Sequence, residues 1–343
     1  MRALVIEGVE SNRIYEVPEP TVEPGQVLLA VRHVSLCGSD YNTFKGLNPL
    51  VSLPRIPGHE IGGVIAAVGE GVPPEYSMGR RALIVPYTNC GVCPSCRKGR
   101  VNACRSNKTL GVQQNGGLTE KIALPHEKII LNDTLAPRHL ALVEPLSVGF
   151  HAVDRGHVCS ADTVVVIGCG MIGMGAIAGS VHRKARVIAV DLGETKLALA
   201  RRYGAAEVID AGREDVAARV AELTGGDGAD VVIEAVGLPQ TFTQAIDFAA
   251  FSGRVVYVGY AKAPVTYQTQ FFNLKELNIY GSRNATAADF HTVIDYLESL
   301  ETPPDDLISK VFPFDQADQA LPYWVAERDT TIKVMVEMPE PAL

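Results

Sequence analysis

The sequence predicts an α/β protein of two domains: a β-rich, barrel-like unit and a doubly wound parallel sheet. Three observations carry that expectation. A chain of 343 residues is longer than one ordinary core supports, since single cores stop growing near about 250–300 residues. Up to about residue 145 the apolar runs are short and broken by Pro and Gly, whereas from about residue 160 they alternate with helical stretches. Between these textures lies a glycine-rich turn, Gly168-Cys169-Gly170-Met171-Ile172-Gly173, directly after the apolar run Thr163–Ile167. The domains are expected at 1–145 with 286–343, and at 146–285.

Taken in order, the first domain has strand candidates at Ala3–Ile6, Gln26–Val31, Gly63–Val68, Ala82–Val85 and Glu120–Ala123. Many short strands at even spacing suggest a barrel whose loops carry the function. The second domain opens with Thr163–Ile167, a run buried on both faces, followed by a helix, the strand Val187–Asp191 and a helix through Leu197–Tyr203 that ends at Gly204. Further strands are expected at Glu207–Ile209, Asp230–Ile233, Arg254–Val258 and Leu277–Tyr280. This repetition of strand and helix is that of an open parallel sheet. The chain then returns to the first domain and ends in the strand-like Thr331–Val336.

Composition excludes several classes. With 47% hydrophobic and 20% charged residues the chain is an ordinary soluble one, and 31 basic against 39 acidic residues give no electrostatic reason for nucleic acid or an anionic membrane as partner. Val164–Val181 is apolar enough to imitate a membrane span, but it holds five glycines and reads better as strand, turn and buried helix. The start reaches Glu7 before any apolar leader develops, and seven cysteines are an odd number, so a cytoplasmic location with reduced thiols is expected.

Four of those cysteines are clustered. Cys90, Cys93, Cys96 and Cys104 form C-x2-C-x2-C-x7-C, with Gly91, Pro94 and Gly99 supplying tight turns. Four thiolates fill every position of a tetrahedral zinc ion, so this site should be structural. A second donor set is spread along the chain: Cys37 in Leu36–Asp40, His59 and Glu60 in Gly58–Glu60, and Glu144 in Glu144-Pro145-Leu146. A thiolate, an imidazole and a carboxylate leave one position open for water or substrate, which is the arrangement of a catalytic ion. Ser39 places a hydroxyl beside whatever binds there. In the glycine turn, Gly168, Gly170 and Gly173 let the backbone approach a pyrophosphate at the N-terminus of the helix begun by Met171 and Ile172. Asp191 closes the next strand, where it can accept from ribose hydroxyls and repel a 2′-phosphate, favouring NAD over NADP. Lys196, Arg201 and Arg202 downstream read as a solvated helix face.

Together these motifs resemble the zinc-dependent medium-chain dehydrogenase/reductase family, which contains alcohol, sorbitol and threonine dehydrogenases, over essentially the whole length. Gly58-His59-Glu60-Ile61-Gly62-Gly63 with Gly69 and Val72 fits its signature G-H-E-x2-G-x5-G-x2-V, and Cys37-Gly38-Ser39-Asp40 matches its first ligand loop. The resemblance implies a GroES-like catalytic domain, a Rossmann NAD domain, and two zinc ions per chain. It also implies that Cys37, His59 and Glu144 bind the catalytic zinc, and that Glu60 ligates directly or exchanges with water. Asp40 is similar to a carboxylate that orients the ligand histidine, and Ser39 to the acceptor of the substrate proton. Many relatives carry a proton-relaying histidine where this chain has Asn42, which does not titrate, so the proton must leave through water, the cofactor ribose or a group such as His33.

The expected reaction is reversible oxidation of an alcohol, with hydride passing to the nicotinamide. A glutamate in place of a second cysteine resembles the polyol, sugar and threonine branches, and Lys275–Asn284 resembles bacterial enzymes that oxidise L-galactonate or L-gulonate. A secondary hydroxyl of a polyol or sugar acid is therefore expected, with L-threonine 3-dehydrogenase and sorbitol dehydrogenase as alternatives. A zinc-free quinone reductase or a non-catalytic dinucleotide-binding protein is the remote one. Lys45, Arg55 and Arg283 are candidates to read a substrate carboxylate, although each reads better individually as a surface or interdomain charge. Val265–Phe272 lies where relatives build a subunit contact, so a homodimer or homotetramer is expected from the resemblance.

Overall fold

The structure is a computed structural model that describes residues 1–339. It divides into two compact units, Met1–Glu144 with Ile294–Leu343, and Pro145–Val293. The chain passes from the first to the second inside the helix Val143–Arg155 and returns inside the helix Ala287–Glu298. That return falls at Ile294, later than residue 286, because the helix begun in the second unit continues unbroken into the first.

The first unit has β1 (Arg2–Gly8), β2 (Ser11–Glu16), β3 (Gln26–Ser35), β4 (Glu60–Val68), β5 (Arg81–Ile84), β6 (Lys121–Pro125) and β7 (Ile129–Leu131). The second supplies β8 (Thr163–Ile167), β9 (Arg186–Asp191), β10 (Glu207–Asp210), β11 (Ala229–Glu234), β12 (Ala249–Tyr257) and β13 (Asn278–Gly281). After the return come β14 (Lys310–Pro313) and β15 (Val334–Glu337).

In the first unit β1 and β2 form an antiparallel pair, and a seven-stranded sheet runs β14-β15-β3-β4-β5-β7, with β6 added to β3. Its core is built from apolar residues of the long strands and the last segments, including Leu4, Leu29, Ile61, Ile65, Phe314 and Val334. The register of three strands decides where the chemistry sits. Ser35, last in β3, pairs with Glu60, first in β4, while Met335 of β15 also pairs with Ser35. Antiparallel pairing thus brings residue 37, residues 59–60 and residue 333 to one end of the sheet, although they span almost the whole sequence.

The second unit is a parallel six-stranded sheet in the order β10-β9-β8-β11-β12-β13. Val165, Ile167, Ile188, Val190, Val232 and Val255 are buried on it, as strands covered on both faces require. β8 lies where the strand order reverses, and such switch points are where open α/β sheets bind ligands. Tyr267, Phe271 and Phe272 pack against this core, which makes most of the Val265–Phe272 segment a loop laid on the sheet.

Candidate functional site

Cys37 follows β3 and is the N-cap of the helix Gly38–Phe44, while His59 directly precedes β4, which Glu60 opens. One ligand atom from each of Cys37, His59 and Glu60 lies within 4.8 Å of the others, near enough for a single ion. His59 and Glu60 are buried, as are Asp40 and Glu144. A buried imidazole ordinarily resists protonation. Here burial is outweighed by the negative charge and hydrogen bonding of Cys37, with Asp40 and Glu144 adding to it, and the His59 pKa stands well above its usual value. A site that attracts a proton this strongly offers the same field to a divalent cation. His59 Nδ1 and Ser39 Oγ are buried and make no hydrogen bond among the described residues, so donor and acceptor capacity is left for an ion and a substrate.

Asp40 braces the Cys37 and His59 segments at once. Its carboxylate accepts from the backbone N–H of Cys37 at 2.9 Å and of Gly58 at 3.3 Å, so it ties the two segments together through the main chain. Gly58 has φ +94°, and a Cβ there would meet Val34 at 2.8 Å, so only glycine makes this turn into His59 without displacement. Asn48 steadies the neighbouring turn by donating to the Ser39 carbonyl at 3.4 Å and the Thr43 hydroxyl at 3.1 Å.

The two glutamates are held differently. Glu60 accepts from Lys333 Nζ at 2.9 and 2.8 Å and from the Ser35 hydroxyl, and Lys333 also donates to the Leu36 carbonyl at 3.0 Å. Glu144, in the first turn of the helix Val143–Arg155, lies outside the close group of three and accepts from the phenol of buried Tyr87. Burial raises the Glu144 pKa, and burial followed by the charge of Glu144 holds the Tyr87 pKa well above its usual value. Lys333, Ser35 and Tyr87 escaped the sequence reading. A lysine inside the apolar run Thr331–Val336 was the available signal for the first; a lone Ser or Tyr gives none.

Cys90, Cys93, Cys96 and Cys104 converge in the loop after β5, with Sγ separations of 3.5 Å for Cys93–Cys96, 3.9 Å for Cys93–Cys104 and 3.6 Å for Cys90–Cys104. The edge of a tetrahedron with Zn–S bonds of about 2.3 Å is about 3.8 Å, so the sulfurs already stand where zinc would hold them. None of the four is joined in a disulfide among the described residues. The Ser95 hydroxyl and the Cys96 and Arg105 amides draw the Cys93 pKa down to about 5, favouring the thiolate that a metal binds, whereas burial and the neighbouring thiols push Cys96 up to about 11. The residues fit a structural zinc.

In the second unit Gly168 has φ +99°, and a Cβ on Gly173 would lie 1.7 Å from the Gly168 carbonyl oxygen, which fixes both as glycine. A Cβ on Gly170 meets nothing within 4 Å, so the space in front of the helix Met171–His182 is open to a ligand. Asp191 ends β9 and accepts from the amides of Cys169 at 2.5 Å and Leu192 at 2.6 Å, which locks its carboxylate beside the turn.

Comparison with known proteins agrees with this geometry. The family model described as "Alcohol dehydrogenase GroES-like domain" matches residues 23–133, and that described as "Zinc-binding dehydrogenase" matches 172–299. L-galactonate-5-dehydrogenase of Escherichia coli is 31% identical over 87% of each chain, and a sorbitol dehydrogenase of Halalkalibacterium halodurans is 32% identical over 98% of this chain and 99% of its own. The chain belongs to the zinc-dependent medium-chain dehydrogenase family. In three dimensions it is similar to an Escherichia coli short chain alcohol dehydrogenase (rspB) complexed with NADH, with a TM-score of 0.90, 30% identity, and coverage of 98% of this chain and 99% of that one.

This dehydrogenase is therefore an oxidoreductase of CH–OH groups that uses zinc and NAD(H), its first unit GroES-like and its second a Rossmann domain. Among the expected carboxylate readers, Lys45 pairs with Glu10, and Arg55 donates to Asn115 at 3.2 Å and the Ser52 carbonyl at 3.4 Å while its buried Nε has no partner among the described residues. Arg283 follows β13 in the second unit. The Asn42 carbonyl accepts from the Leu47 amide at 2.7 Å. His33 stands 3.6 Å from Glu337, with its pKa lowered by burial to about 4, too weak a base to end a proton relay at neutral pH. Among the described residues no helix is long and apolar enough to cross a membrane.

Proposed function

We propose that this dehydrogenase oxidises a secondary hydroxyl of a polyol or sugar acid to a ketone, with an L-galactonate- or L-gulonate-like substrate, and that each chain carries a catalytic and a structural zinc. The observation that carries the reading is the group of half-buried Cys37 with buried His59 and Glu60, with buried Glu144 acting on His59 and the Ser39 hydroxyl unengaged among the described residues. When bound there, zinc supplies a Lewis acid that lowers the pKa of the substrate hydroxyl, and NAD accepts the hydride. The chain contributes the rest. Ser39 Oγ, steadied by Asn48, accepts the hydroxyl proton as it passes its own proton on through water or the cofactor ribose. Asp40 keeps the Cys37 and His59 segments together.

A carboxylate as third donor supports the polyol, sugar and threonine branches together, and the sugar-acid substrate is favoured among them because Lys275–Asn284 is similar to bacterial sugar-acid enzymes and one relative in sequence is an L-galactonate-5-dehydrogenase. We also read the protein as a cytoplasmic homo-oligomer, because β13 is hydrogen-bonded on one side only and leaves a strand edge open to a second copy. The deciding experiment combines metal analysis with a panel of aldonates, polyols and threonine, following NADH by its absorbance. The expected result is two zinc ions per chain and the highest kcat/KM on an aldonate. Cys37→Ser should keep one zinc and NADH binding while losing turnover. Preference for threonine or sorbitol would redirect the substrate, and turnover by a metal-free Cys37→Ser protein would overturn the chemistry.

A further inference from the structure

Tyr87 belongs to no motif, yet it stands between the two metal sites. Its main chain lies at the base of the four-cysteine loop, where Tyr87 bridges Thr109. Thr88 is tied to Lys108 by its amide, by its hydroxyl, and by the Lys108 amide returning to that hydroxyl, each at 3.0 Å. All four cysteines lie inside the loop so closed. The Tyr87 carbonyl accepts from Lys128 Nζ at 2.7 Å, so the backbone is fixed on that side as well. From this anchor the ring runs inward, only 6% exposed, and its O–H donates to Glu144.

Glu144 needs such a partner. Glu60 is held by an ammonium and a hydroxyl, whereas Tyr87 is the side chain that donates to Glu144. A carboxylate whose one oxygen accepts from a rigid phenol has its rotation set and its other oxygen directed. Glu144 lies outside the close group of Cys37, His59 and Glu60 but near enough for its charge to act on His59, so the direction its carboxylate takes bears on whether it can join them.

We propose that Tyr87 is a positioning residue of the catalytic metal site, setting the orientation of Glu144 through its phenolic O–H. The inference rests on the zinc reading above. Tyr87→Phe removes one oxygen and keeps the ring, so the loop anchored by the main chain should still fold. In the full-length protein we expect Tyr87→Phe to keep its structural zinc and its thermal midpoint but to bind catalytic zinc roughly 10–100-fold more weakly in chelator competition. With cobalt in the catalytic position its visible spectrum should shift relative to wild type. On a Glu144→Gln background the same substitution should add little, because both changes act on one hydrogen bond. An unchanged cobalt spectrum and metal affinity would overturn the proposal, as would loss of both metals together or full additivity with Glu144→Gln. A wild-type chain holding a single zinc would remove the reading beneath it instead, and metal analysis of the unmodified protein tells the two failures apart.

Discussion

The pairing of Lys333 with Glu60 is the residue-scale feature on which the metal site turns. Both are almost wholly buried, at 3% and 0% side-chain exposure, and the ammonium meets both carboxylate oxygens. Removing water from two charges is costly, and their attraction offsets that cost only while both remain. Lys333→Met should therefore destabilise the fold by about 3–5 kcal/mol, since it leaves Glu60 in a cavity that already holds Glu144 and Asp40. Adding Glu60→Gln should recover much of that loss, a coupling that urea denaturation of the four proteins in the cycle would measure. A Lys333→Met protein within about 0.5 kcal/mol of wild type would show that the pair contributes nothing beyond shape. Glu60 is thus met by a cationic donor and Glu144 by a neutral one.

At the scale of elements, the turn from β8 to the helix Met171–His182 separates two duties of glycine. Gly173→Ala drives a Cβ into the Gly168 carbonyl, so it should cost about 1–3 kcal/mol by overpacking. Gly170→Ala meets no protein atom and should cost under about 1 kcal/mol, while weakening NADH in a fluorescence titration, because the methyl enters the space before the helix N-terminus. Equal thermal midpoints for the two variants would contradict this division. This element was also the most legible in the sequence: Thr163–Ile167 is β8 to the residue, because a strand buried on both faces is an unbroken apolar run bounded by a turn. For β12 the sequence predicts Arg254–Val258, but the strand starts at Ala249, since Ser252 and Gly253 interrupt the apolar run within it. The four-cysteine loop and the Cys37 and His59 segments were visible because metal chemistry restricts residue type and spacing. Lys333, Ser35 and Tyr87 were not, because strand register and a loop anchor bring them to the site, and neither leaves a local pattern.

For the molecule as a whole, stability against acid draws on a group outside the chemistry. His33 lies on β3 facing Glu337 of β15, with Arg32, Arg138 and His139 also near enough to act on its charge. Burial is the largest influence and lowers its pKa from 6.5 to about 4; Glu337 opposes this, and the cations add to it. Between those two values the unfolded chain binds a proton that the folded chain refuses, so stability rises with pH there. The contribution is complete above about pH 6.5, is lost progressively as pH falls through the window, and stops changing below about pH 4, where both states are protonated. A glutamine at this position has no such proton, so His33→Gln should flatten the slope of urea midpoint against pH between those limits and leave the neutral value little changed. Acid release of zinc acts on both proteins alike, so the difference between the two curves isolates the histidine. Parallel curves would mean that His33 is as free to protonate in the folded chain as in the unfolded one, and that the β3–β15 seam does not bury it from water.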